Sequence, residues 1–83
     1  MAIKSWGAPV TVFAGRAGNV RMAVRDAAKA ADVLLRQWPR GVPQGESHLQ
    51  ARLAMLRCLK GRCSPEEARA AFVAAAEEAG ILA

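Results

Sequence analysis

Three soft side chains are the first candidates for chemistry in this chain: the single histidine, His48, and the two cysteines, Cys58 and Cys63. A structural zinc site normally takes four such ligands. A carboxylate would have to complete the set here, and the step from Cys58 to Cys63 matches no common finger spacing. No metal and no cofactor is expected. A cysteine nucleophile would need His48 as its base. If His48 opens a helix that Cys58 nearly ends, ten residues of helical rise hold the two on the order of 15 Å apart, too far for direct proton transfer. His48 then reads as a solvent-facing residue of a first turn, Cys58 as a small core residue, and Cys63 as a spacer before the next helix.

Other constellations are explained by structure before chemistry. The paired carboxylates Glu66-Glu67 and Glu77-Glu78 fall at helix ends, where capping and solvation account for them. Gly41-Val42-Pro43-Gln44-Gly45 lacks the lysine and the strand-to-helix setting of a phosphate loop. No catalytic residue is assigned and no small-molecule substrate is expected, so the protein reads as a non-enzyme.

Positive charge offers a different chemistry. Arg52, Arg57, Lys60 and Arg62 crowd one predicted helix, and Arg16 and Arg21 lie on a predicted hairpin. These six could contact phosphates, with Phe13 on the outward sheet face as a stacking platform. The aromatic supply is small, however: there is no tyrosine, and Trp6, Trp38 and Phe72 sit where packing predicts burial. Asp32 also interrupts the stripe of Arg25, Lys29 and Arg36.

The formal charge of the 83 residues is +5, unevenly spread. Residues 1–62 carry eleven basic and three acidic side chains, whereas 63–83 carry one basic residue, Arg69, and four acids. A basic end and an acidic end suit a nucleic-acid or acidic partner, and suit equally a protein that associates with itself. Gly7 and Pro9 interrupt any apolar run near the start. Neither a signal peptide nor a membrane span is expected, and a cytoplasmic location follows. Two cysteines are too few for a secreted disulfide framework and read as reduced thiols.

The elements that must position these residues are legible in the pattern. Val10 to Phe13 and Val20 to Val24 are β-branched or apolar runs separated by Gly15-Arg16-Ala17-Gly18-Asn19, a hairpin over about 9–24. Alternation puts Val10, Val12, Val20, Met22 and Val24 on one face, which must be covered, and Thr11, Phe13, Arg21 and Ala23 on the other. A helix over about 26–38 carries an apolar stripe of Ala27, Ala31, Leu34, Leu35 and Trp38. After the loop of Pro39 to Gly45, Ser47-His48-Leu49-Gln50 has capping-box spacing and opens a helix over about 48–60 whose apolar stripe would be Leu49, Leu53, Leu56 and Leu59 or Lys60.

The clearest helix is the last, over about 65–79. Ser64-Pro65-Glu66-Glu67 starts it, Gly80 ends it, and Ala68, Ala71, Phe72, Ala75, Ala76 and Ala79 share its apolar face. The whole reads as a single α+β domain over 1–83, a two-stranded antiparallel hairpin followed by three helices packed on one of its faces.

The pattern Trp6-x-x-Pro9-Val10, Trp38-Pro39, Leu59-Lys60-Gly61 and Glu67-Ala68-Arg69-Ala70-Ala71-Phe72 resembles a family of small bacterial proteins, the domain of unknown function numbered nine-eight-two. The resemblance spans nearly the whole chain and is most specific in the last helix. It implies a short stand-alone chain with no established activity, cofactor or catalytic residue, so no site is carried over. Arg69 is expected either to bridge Glu66 or to reach a carbonyl of the loop after Trp38.

An isolated hairpin is marginal in water and exposes two unpaired edges. A homodimer is therefore expected, joined edge to edge or through the alanine-rich third helix. Phe13 is the proposed self-interface residue, the competing reading being cover by Trp6 and the N-terminal arm. The expected role is a self-associating protein-interaction module, with an RNA- or DNA-binding module as the alternative.

Overall fold

The computed structural model describes residues 5–42 and 44–83. The start of the N-terminal arm and Pro43 of the 39–45 loop lie outside the described residues. Strands β1 (Val10–Ala14) and β2 (Val20–Val24) pair antiparallel, and helices α1 (Ala27–Arg36), α2 (Glu46–Leu59) and α3 (Pro65–Ala79) follow. This is the α+β order expected from the pattern.

The hairpin register sets Val10 opposite Val24, Val12 opposite Met22 and Ala14 opposite Val20. Val10, Val12, Ala14 and Val24 are buried as alternation requires, but Met22 is only half-buried and Val20 is 46 % exposed. The cause is one-sided cover: α3 packs on β1, leaving β2 as the outer strand. Gly15 and Gly18, both at positive φ, let the five-residue loop turn. The loop is tied to the end of α1, with the Gly15 amide donating to the Gln37 carbonyl at 2.7 Å and the Arg40 amide to the Arg16 carbonyl at 3.1 Å.

Among the described residues only one of the two hairpin edges is open. Past α3 the chain returns along β1: the Phe13 amide donates to the Ile81 carbonyl at 2.8 Å, the Ala83 amide to the Thr11 carbonyl at 2.9 Å, and Leu82 stands opposite Val12. The expectation of two unpaired edges is corrected by these bonds, which make β1 an interior strand.

Each helix start has a different physical basis. The Asp26 carboxylate accepts from the Lys29 amide at 2.8 Å and caps α1, and Ser64 Oγ accepts from the Glu67 amide at 3.2 Å and caps α3. At the far end of α3, Gly80 is left-handed, and the Ile81 and Gly80 amides donate to the Ala76 and Glu77 carbonyls. α2 differs from expectation. It begins at Glu46 with Gly45 as its cap, and Ser47 lies inside the first turn without capping it. A β-carbon on Gly45 would come within 2.8 Å of Glu78 Oε1, so the α3 carboxylate occupies the space beside this helix start and supplies the negative charge its dipole favours.

The predicted stripe of α1 holds at Ala27, Leu34 and Trp38 and fails at Leu35, whereas that of α2 is turned. On α1 the buried residues are Ala27, Ala30, Val33 and Leu34, while Leu35 is 67 % exposed. On α2 the buried residues are His48, Ala51, Ala54 and Met55, and the four leucines expected inside all face outward. Small side chains explain the choice. Ala51 and Ala54 on α2, with Ala68, Ala75 and Ala76 on α3, let the backbones approach closely, so the interior is filled by a few large groups instead of by leucines. Phe72 is the central one, its ring 5.6 Å from Trp6 and 6.5 Å from Trp38. The alanine face of α3 is thus used within the protomer, which removes it as a dimer surface. Replacing Phe72 with Ala should destabilise the protein by about 3–5 kcal/mol. Urea unfolding would measure it, and a loss below about 1 kcal/mol would contradict the central position of this ring.

Candidate functional site

α2 carries the chemistry on one side and an unpartnered surface on the other. His48 is 3 % exposed, which corrects the solvent-facing reading. Its Nε2 lies 3.2 Å from the Leu34 carbonyl oxygen, and its ring meets Trp38 edge-on with centroids 4.8 Å apart. Donation to that carbonyl places the proton on Nε2 and leaves Nδ1 as a buried acceptor without a partner. Burial lowers the His48 pKa below 6.5, with Arg52 adding to the fall, while the Leu34 carbonyl and Glu78 act in the opposite direction.

The cysteines serve the turn between α2 and α3. Cys58 Sγ lies 3.7 Å from the Cys63 carbonyl oxygen, and Cys63 Sγ donates to the Ala54 carbonyl at 3.4 Å. Both are half-buried against the core, so Cys63 is a packed and bonded residue rather than a spacer. Burial, followed by the hydrogen bond with Cys58, pushes the Cys63 thiol up to about 11. It is a neutral thiol at physiological pH, and the nucleophile is the thiolate. Among the described residues no three His, Cys, Asp or Glu side chains gather where they could hold a metal ion, and no helix is long and apolar enough to cross a membrane.

The six basic candidates lie on two parts of the chain, the hairpin and α2 with the turn after it. Arg21 lies over the Phe13 ring, its guanidinium carbon 5.9 Å from the centroid, while Arg16 sits in the hairpin loop beside residues 37–40. Arg52, Arg57, Lys60 and Arg62 are exposed on α2 and the turn after it. Phe13 itself is 37 % exposed. Trp6 does not cover it, being buried against Phe72 instead. Among the described residues Arg69 has a different partner from those expected: its Nε donates to the Ala8 carbonyl at 2.9 Å, tying α3 to the segment before β1.

The surface that sequence reasoning missed is the leucine face. Leu49, Leu53, Leu56 and Leu59 are between 43 and 52 % exposed, and with Ala31 and Leu35 of α1, Met55 and Arg52 they line an open groove of about 300 Å³. The period of the leucines was legible. What hid their direction is that α2 has a second stripe, Ala51, Ala54, Met55 and Cys58, which obeys the same period and is the one packed inward.

A hairpin backed by three helices, with an apolar face left open on the middle one, defines a small α+β protein. The chain belongs to the family described as protein of unknown function, DUF982, which matches residues 8–83. No curated protein and no solved structure matches it. The residues behind the resemblance have structural roles here: Trp6, Trp38 and Phe72 fill the core, Gly61 turns at positive φ after α2, and Arg69 holds Ala8.

The buried imidazole makes stability pH-dependent with a definite sign. The unfolded state takes up a proton near pH 6.5 and the folded state only at lower pH, so His48 leaves stability unaffected above that range and reduces it as pH falls. The melting temperature should therefore drop between pH 7.5 and 5.0, and His48→Gln, which retains a donor for the Leu34 carbonyl, should lose that part of the drop. An identical pH profile in the variant would contradict the assignment.

Proposed function

We propose that this protein is a non-enzymatic interaction module that associates with itself, and that it does so through the leucine face of α2. The observation that carries the reading is the groove: five exposed leucines adjoin one another on a chain of 83 residues. Scattered exposed apolar residues are ordinary on monomers, whereas a contiguous apolar patch rimmed by charge marks an interaction surface. The rim here is Arg52, Arg57 and Lys60. Phe13, half-shielded by Arg21, is the lesser candidate on the opposite part of the fold.

The two functional classes weighed from sequence respond differently to salt. Nucleic-acid affinity falls steeply with ionic strength through counterion release, and an apolar contact changes little. Light scattering coupled to size exclusion at micromolar to millimolar concentration should show a dimer of twice 8.8 kDa at both low and high salt. Leu56→Asp should shift it to monomer by at least about tenfold in dissociation constant while the melting temperature of the monomer is kept, since Leu56 is 52 % exposed and is not one of the buried core residues. A compact monomer at every concentration, with salt-sensitive binding to mixed RNA or DNA, would replace this reading with the nucleic-acid one.

A further inference from the structure

The outward side of α2 is more ordered than an apolar patch needs to be. Glu46, Leu49, Leu53, Leu56 and Lys60 recur at alternating steps of three and four residues, the spacing of a narrow seam that meets another helix. All five are exposed, whereas Ala51 and Ala54, at the intervening positions, are buried. The three central positions are leucine. The two ends carry opposite charges, Glu46 in the first turn and Lys60 at the C-terminal cap.

From this self-complementary seam we infer that two copies pair antiparallel along α2, about a two-fold axis at Leu53, with Glu46 of each copy against Lys60 of the other. The inference rests on the self-association proposed above and adds its geometry. A two-fold axis at Leu53 relates position 46 to position 60, since both are seven residues from it, so one operation satisfies both ends of the seam. Parallel pairing would instead set Glu46 against Glu46 and Lys60 against Lys60. The antiparallel arrangement also opposes the two helix dipoles.

The same geometry uses the surroundings of the seam. Leu35 of α1 and Leu59 flank it on the groove side and enlarge the contact, and the groove is open to receive the leucines of a second copy. Arg52 and Arg57 stand beside the seam as exposed residues, where long side chains cover apolar neighbours while their charges stay in water. No carboxylate occurs on α2 after Glu46, so along the paired helices the one acidic group available opposite Lys60 is Glu46 of the second copy.

Charge exchange tests this directly. Sedimentation equilibrium would be run on the full chain as wild type, Glu46→Lys, Lys60→Glu, the double exchange Glu46→Lys/Lys60→Glu, and Leu53→Asp, with circular dichroism to confirm that each is folded. Either single exchange puts like charges together at both ends and should raise the dimer dissociation constant by about tenfold. The double exchange should return it to within about threefold of wild type. Helix stability cannot imitate that recovery, because the double exchange places a cation at the N-terminal and an anion at the C-terminal end of α2, both unfavourable to the dipole.

Dimers that ignore every charge exchange yet dissociate in Leu53→Asp would overturn the antiparallel geometry and leave the self-association intact. A wild type that stays monomeric throughout would overturn both, and would assign the leucine face to a different occupant.

Discussion

The fold depends on how closely α2 and α3 approach. α2 and α3 pack against each other, and the residues they bury are largely alanine, Ala51 and Ala54 on α2 and Ala68, Ala75 and Ala76 on α3; residues of this size let backbones come near while contributing little buried area themselves. The hydrophobic stabilisation must then come from a few large groups set around that contact. Phe72, Trp6, Trp38 and Met55 supply it, together with the valines of β1 and β2. A small domain has little stability to spare, so the alanine contact and the aromatic cluster are one device. Every consequence discussed for α2 follows from which of its faces is committed to it.

Once the alanine side is inward, the leucine side has no interior to occupy. The same choice brings His48 inward, one turn before Ala51, where it fills space between Leu34 and Trp38 and is held neutral by the lack of water. It also brings Cys58 and Cys63 against the core, where backbone carbonyls engage both thiols and burial suppresses the thiolate of Cys63. The residues that looked most reactive in the sequence are therefore packing and turn residues. The residues that looked most like core are the exposed ones. Structure and chemistry exchange places on a single helix.

Local signals were the legible ones. Ser64-Pro65 and Gly80 fix α3 because capping is decided by the backbone groups of one turn, and the five residues between Phe13's strand and Val20's are a hairpin loop on glycine placement alone. The direction of α2 was not legible, since its leucine and alanine stripes both obey the helical period and the choice rests on residues far along the chain. The edge cover by Ile81 to Ala83 is equally non-local: nothing in three terminal residues announces that they return to β1. Arg69 shows the same limit, its partner at Ala8 lying sixty-one positions away. Membership of DUF982 agreed with the resemblance carried by the aromatic and glycine positions, and those are the positions whose roles are structural.

The orientation of α2 is the claim on which both the surface and its partner stand, and enlarging one alanine measures it. Ala51→Leu adds bulk where α2 meets the core and touches no part of the outer seam. If the alanine side faces inward, urea unfolding should show a loss of about 1–3 kcal/mol from overpacking. Unchanged or increased stability would mean that Ala51 has open space around it and that the leucines, not the alanines, line the interior.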